Sequence, residues 1–303
     1  MVRFSEIAIK STKTRKRFID ILVDHLQYIL ESKEIKEFEI IKGFSRIFIS
    51  TTKPNLVNNV ISSIVPGIAS TSIVYQCKTE IEEIKKVVKY NFLGKIKEGS
   101  SFAVRAKRTG KHTFSSMELG AIIGEFILES KDENSLRVDL SNPEYLLSIE
   151  VRDDRTYIFD KTSKGLGGLP VGCQGTVLVL VSGSDEDISN IIRLYKRGAN
   201  TLVYAVEPKD KIPDDFLITI EKLIALQPNL NNFIEKIHLD NTEIEIEKFL
   251  DFYTNNNCSG LGMSKEIFDK ISDSIPVSIP VFIPHLVTEI DYKIMQSMKK
   301  FSS

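Results

Sequence analysis

The sequence predicts an α+β N-terminal half followed by an α/β, Rossmann-like domain. Three observations carry that expectation. Residues 1 to about 77 order their patterns as β-α-β-β-α-β; a second mixed set of elements runs to about 164; from Val177 an apolar run, a helix and another apolar run make a βαβ unit. At 303 residues with 42% hydrophobic content, the chain is long enough for two or three buried cores.

The alternation in VRFSEIAIK predicts a first strand, and Phe18, Ile21, Leu22, Leu26 and Ile29 recur at helical spacing behind it. FEIIKGFSRIFIS reads as two strands around Lys42-Gly43, Asn55 to Ile64 as a helix stopped by Pro66-Gly67, and Ala69 to Cys77 as a closing strand. This order is ferredoxin-like. In the second set, Glu80 to Phe92 predicts a helix, SFAVRAKR a strand, and SSMELGAIIGEFILES a helix whose Ser115 and Glu118 have capping-box spacing. Leu136 to Leu140, then LLSIEVR and TYIFD around Asp153-Asp154, supply its remaining strands. KGLGGLPVG, dense in glycine, predicts a linker or a tight crossover between domains. Beyond it come VLVLV, a helix ending at Lys196-Arg197-Gly198, TLVYAV, and three further strand expectations: IEKIHLD, the stretch just before Cys258, and VSIPVFIPHL. The domains expected are 1–78, 79–164, a linker at 165–174, and 175–303.

No apolar run approaches the ~18 residues that span a bilayer, and the N-terminus has no leader-like apolar region, so the expectation is a cytoplasmic protein without a membrane partner. Cys77, Cys173 and Cys258 form no CxxC, and the four histidines show no ligand spacing, so neither a zinc site nor a disulfide framework is expected. The net charge of −1 divides unevenly. Residues 1–165 hold 27 Lys and Arg against 22 Asp and Glu, and residues 166–303 hold 13 against 19. A polyanion would therefore be held by the first half.

Two basic clusters sharpen that point. KSTKTRKRF places Lys13, Arg15, Lys16 and Arg17 at a helix start, where cations oppose the helix dipole unless an anion compensates. VRAKRTGKHTFSS groups Arg105, Lys107, Arg108, Lys111 and His112 at a turn beside Phe114 and two serines, a combination suited to a phosphate-sugar backbone.

SFAVRAKRTGKHTFSS, VDLSNPEYLLSIEVRDDRTYIFD and KGLGGLPVGCQGTVLVLVSG resemble, in order and spacing, the THUMP domain and following linker of the tRNA 4-thiouridine synthetases, or tRNA sulfurtransferases. SEIAIKS…RKRF is similar to that family's N-terminal ferredoxin-like domain. The resemblance implies tRNA binding by the first two domains and a PP-loop ATPase lineage for the third. It makes Arg105, Lys107, Arg108 and His112 candidate RNA contacts, with Lys13, Arg15, Lys16 and Arg17 beside them; Lys111 joins them from the basic cluster itself.

The family's phosphate loop follows SGGxDS. Ser182 and Gly183 match, but Ser184 stands for the second glycine, Glu186 for the aspartate and Asp187 for the serine. A side chain at 184 narrows the allowed backbone, and a carboxylate 4 Å from a phosphate charge costs about 4 kcal/mol at an effective dielectric near 20. Ser182, Gly183 and Ser184 are thus expected to be a degenerate cofactor loop. Asp187 caps the helix, and the alternative has Asp185, Glu186 and Asp187 hold magnesium. SGLGMS and IPVFIPHL match later family segments weakly. No cysteine follows Cys258 where the resemblance places the sulfur acceptor, which implies a shortened domain. The expectation is a tRNA-binding protein with no cofactor and no chemistry of its own, working beside a separate catalytic or sulfur-transfer protein. The alternative is an ATP- and magnesium-dependent tRNA sulfurtransferase with an altered loop.

Overall fold

The computed structural model describes residues 1–43, 45–131, 135–206, 212–228, 238–239, 246–283 and 296. Two compact units result: Met1–Thr71 with Ser163–Ser303, and Ser72–Thr162.

In the first unit, β1 (Val2–Phe4), α1 (Thr12–Ser32), β2 (Phe38–Lys42), β3 (Ile47–Thr51), α2 (Pro54–Ile64) and β4 (Ile68–Thr71) follow the expected ferredoxin-like order. The run from Ala69 to Cys77 is not one strand. It divides between β4 and β5 (Tyr75–Lys78), which belong to different sheets. The glycine-rich segment also departs from expectation, because residues 165–167 lie in β10 (Ser163–Gly167), which pairs antiparallel with β4. The sheet order is β10-β4-β1-β3-β2. Glycine is needed at 165 because a Cβ there would run into the Ile68 carbonyl. A segment that reads as flexible by composition is ordered by close backbone approach.

The α/β portion contains β11 (Thr176–Val181), α5 (Asp185–Lys196), β12 (Asn200–Ala205), α6 (Asp214–Ile224), β13 (His238–Leu239), α7 (Ile246–Asn255), β14 (Gly260–Gly262), α8 (Lys265–Ile271) and β15 (Val281–Phe282). Its sheet is parallel in the order β13-β12-β11-β14-β15. The unbroken VLVLV run is explained by burial on both faces: Leu178 and Leu180 pack with Phe249 and Leu261, while Val179 and Val181 pack with Ile188 and Ile191. The strand expected before Cys258 is instead the end of α7, and the strand follows that cysteine as β14. Most of IEKIHLD, and residues beyond 283 in VSIPVFIPHL, lie outside the described residues. The chain leaves β11 toward β12 on one side, with β14 on the other. The C-terminal ends of β11 and β14 therefore flank a topological switch point, where open α/β sheets form ligand crevices.

One apolar cluster joins the ferredoxin-like elements to this portion, running from Leu22, Leu26 and Ile64 to Ile192, Tyr195 and Leu226. Three polar contacts cross the join. Tyr195 Oη donates to the Ile64 carbonyl at 2.8 Å, His25 Nε2 lies 2.8 Å from the Leu226 carbonyl oxygen, and Tyr28 Oη donates to Ala225 at 2.9 Å.

The second unit contains β5, α3 (Ile81–Asn91), β6 (Ser101–Thr109), α4 (Ser116–Glu129), β7 (Arg137–Val138), β8 (Tyr145–Arg152) and β9 (Arg155–Phe159), with sheet order β5-β9-β8-β6-β7. Ile84 and Val88 of α3 and Leu119, Ile123 and Ile127 of α4 cover one sheet face through Phe102, Leu147, Ile149 and Ile158. The capping box forms: Glu118 N donates to Ser115 Oγ at 3.1 Å, and Ser115 N donates to Glu118 Oε2 at 2.6 Å. Among the described residues, no helix is long and apolar enough to cross a membrane.

Candidate nucleic-acid interface and phosphate loop

Strand alternation in β6 sends Val104 and Ala106 toward the helices and Arg105 and Lys107 to the opposite face. The pairing register then determines which other cations join them. Thr109 is opposite Arg152, Arg152 opposite Arg155, and Arg155 opposite Lys78. At about 4.8 Å between strands, this row crosses roughly 14 Å of sheet. Arg105, Lys107, Arg155 and Lys78 are exposed, whereas Arg152 is half-buried and bonded to Glu150 Oε2 at 3.1 Å. The sequence reading missed Lys78, Arg152 and Arg155. A signal existed, because a two-residue turn at Asp153-Asp154 makes 152 and 155 cross-strand partners.

The expected cluster of five separates in the structure. Arg105 stays on the sheet face opposite α3 and α4, its Nη2 donating to the Leu140 carbonyl at 3.3 Å. Arg108 has the opposite parity, and its Nη1 donates to the Gly110 carbonyl at 3.2 Å, which tightens the turn. His112 Nε2 lies 2.9 Å from the Thr109 carbonyl oxygen, and its ring stacks on Phe114 with centroids 5.7 Å apart. Lys111 and His112 line a cavity of about 530 Å³ with Lys78, Thr79, Glu80, Asp153 and Asp154. Arg105, Lys107 and Lys111 thus present charge, while Arg108 and His112 also hold the turn that displays it.

At α1, Lys13 and Lys16 are exposed, Arg15 is half-buried, and the first turn carries no acid. Arg17 has a packing role: its Nη2 donates to the Cys173 carbonyl at 3.1 Å, and its guanidinium lies 5.3 Å from the centre of the Phe18 ring.

The loop after β11 has the frame of a phosphate cradle. Gly183 adopts φ +101°, a left-handed conformation that glycine accepts without Cβ strain, and the N–H groups of Ser182, Gly183 and Ser184 converge on one point. That point is Asp187 Oδ2. It accepts from Ser182 N at 2.8 Å, Gly183 N at 3.1 Å, Ser184 N at 3.0 Å and Ser182 Oγ at 3.3 Å. In return, Asp187 N donates the capping bond to Ser184 Oγ at 3.3 Å. Asp187 is fully buried; burial pushes its carboxyl above the usual aspartate range, opposed by the N–H donors of Ser182, Ser184 and Gly183. Asp185 is exposed, so the three acids do not share a face open to a magnesium ion. The residues therefore do not fit the phosphates of ATP as the loop stands, because the donors that would hold them are engaged by a carboxylate.

Comparison with known proteins agrees with this architecture. A model of the ThiI ferredoxin-like domain matches residues 1–72, and a model of the THUMP domain matches residues 78–160. The Methanosarcina mazei protein named "Probable tRNA sulfurtransferase" is 33% identical over 264 residues, covering 80% of this chain and 64% of its own. The Saccharophagus degradans protein named "tRNA sulfurtransferase" is 31% identical over 204 residues, covering 65% and 41%. The chain thus spans less than two thirds of the length of these relatives. Among solved structures, PH1313 from Pyrococcus horikoshii is 25% identical with a TM-score of 0.74, covering 99% of this chain and 97% of that one. A 4-thiouridine synthetase, solved with RNA and bound ATP, shares the fold at 22% identity and a TM-score of 0.71, over 99% of this chain and 85% of that one. With both N-terminal domains matched in order and a parallel α/β domain behind them, the chain belongs to the ThiI-type tRNA sulfurtransferase family.

Proposed function

We propose that this chain binds tRNA through its THUMP unit and does not by itself activate a uridine with ATP. The observation that carries the reading is the run of exposed cations, Arg105, Lys107, Arg155 and Lys78, across one face of the THUMP sheet. Such a face suits a phosphate backbone, since spaced cations release counterions from a polyanion and small metabolites gain little from them. The choice of tRNA rests on the relatives named tRNA sulfurtransferase. The absence of chemistry rests on the Asp187 carboxylate in the phosphate loop. A separate catalytic or sulfur-transfer protein would then act on the bound tRNA, and the cytoplasm is the compartment consistent with that substrate.

The relatives' names favour a second reading, in which the chain is an ATP-dependent sulfurtransferase with an altered loop. One experiment separates the two. After crosslinking to total cellular RNA, tRNA should dominate the recovered species. The chain given that tRNA, ATP, magnesium and a sulfur donor should form no 4-thiouridine. Recovery without tRNA enrichment overturns the binding reading; 4-thiouridine formed by the chain alone establishes the second.

A further inference from the structure

We infer that the Ser182–Ser184 loop is an anion site closed by the chain's own Asp187 carboxylate, which would admit a diphosphate group once that carboxylate is removed. An ordinary capping box uses an acid at the third helical position to accept one N–H, that of the N-cap residue. Asp187 does this for Ser184 and also accepts the N–H groups of Ser182 and Gly183 and the Ser182 hydroxyl. Three successive N–H groups aimed at one oxygen form the concave arrangement that binds anions, here at the start of a 12-residue helix whose dipole adds to it. The carboxylate stands where a phosphate oxygen would.

A second observation points to an incompletely filled polar site at the same crevice. Asn190, one turn along α5, is fully buried, and neither of its amide atoms has a hydrogen-bond partner among the described residues. It lies against β14, where a Cβ on Gly262 would meet its Nδ2 at 3.1 Å. Asp187 Oδ1 is likewise buried and without a partner among the described residues. Buried polar atoms are nearly always satisfied, so unpaired ones at a switch point mark a place the protein itself does not complete. A diphosphate entering the unmodified loop would have to displace a negative charge from the same donors. In this state the loop excludes anions.

The inference rests on the same Asp187 contacts as the proposed lack of ATP chemistry and is independent of tRNA binding, so tRNA affinity is measured on every variant as a control. The probe is inorganic pyrophosphate, followed by calorimetry and by the amide resonances of Ser182, Gly183 and Ser184. In the unmodified chain these resonances should stay unmoved at millimolar pyrophosphate. Asp187→Ser should bind saturably, at least tenfold more tightly, and shift the same three resonances. Asp187→Asn keeps the side-chain shape, loses the charge, and should gain binding to a smaller degree; it serves if the serine variant fails to fold. Saturable binding to the unmodified loop overturns the inference, as does a folded variant that gains none. Loss of tRNA binding in the unmodified chain would instead overturn the proposed function and leave this result standing.

Discussion

Replacing Arg105, Lys107, Arg155 and Lys78 together by alanine is expected to weaken tRNA binding by about two to three orders of magnitude near 0.1 M salt, because each lost phosphate contact removes roughly 0.7 to 0.9 from the slope of log affinity against log salt. The four side chains are exposed, so the variant should keep the unmodified chain's thermal midpoint within the small range typical of surface changes. Arg152 is left in place because it is half-buried and bonded to Glu150, itself a largely buried acid, so its removal would mix a stability change into the binding result. Arg17→Ala serves as a contrast. Its guanidinium is bonded to the Cys173 carbonyl, so its loss should lower stability before it lowers RNA affinity. Filter binding across a salt series, with circular dichroism on each variant, reads both quantities. Unchanged affinity and slope in the fourfold variant would remove this face from the RNA surface.

The second large effect is on acid stability. His25 is fully buried between the ferredoxin-like elements and the α/β portion, and desolvation lowers its pKa from 6.5 to about 4, with the Leu226 carbonyl opposing the shift. Nε2 donates to that carbonyl, while Nδ1 is buried without a partner among the described residues, so a second proton on the ring would find no acceptor among them. A depressed histidine pKa means that the unfolded chain takes up a proton before the folded one does. The contribution is complete above pH 6.5 and is lost as pH falls from there through about 4. The shift corresponds to about 3 kcal/mol. His25→Gln retains an N–H donor for Leu226 and has no titration in that window. Denaturant unfolding at pH 7 and pH 4.5 should therefore show a larger loss for the unmodified chain than for the variant. Equal losses would mean that His25 is not the group responsible. Glu118, Asp139 and Glu144, held below the usual carboxylate range by hydrogen bonds, and Asp187, held above it, titrate in both proteins, so the difference isolates the imidazole.

The elements visible in the sequence are those governed by local spacing. The α1 pattern of Phe18, Leu22, Leu26 and Ile29, the Ser115–Glu118 box and the doubly buried VLVLV strand each follow from short-range periodicity and capping. Pairing between distant segments was not visible. β10 reads as a linker because its glycines lack pattern, and only the approach of Gly165 to Ile68, nearly a hundred positions earlier, makes it a strand. The stretch before Cys258 has the apolar content of a strand but the period of a helix, since Phe249 is buried as part of a helical face in α7. The candidate sites divide in the same way. Arg105 and Lys107 were found as a charge cluster, but Lys78 and Arg155 join them only through register across three strands. In the phosphate loop, the sequence identified the substituted acid as a repulsive neighbour and a helix cap. What it did not reveal was the rotation of Asp187 inward, onto the N–H groups that the loop offers to a phosphate.

The central claim, a polyanion grip on the THUMP sheet, is tested most directly by the salt dependence of tRNA affinity for the full chain. The account predicts affinity falling linearly with log salt concentration, with a slope near −3 or steeper for four or more neutralised phosphates. A slope near zero, with tRNA still bound, would contradict it.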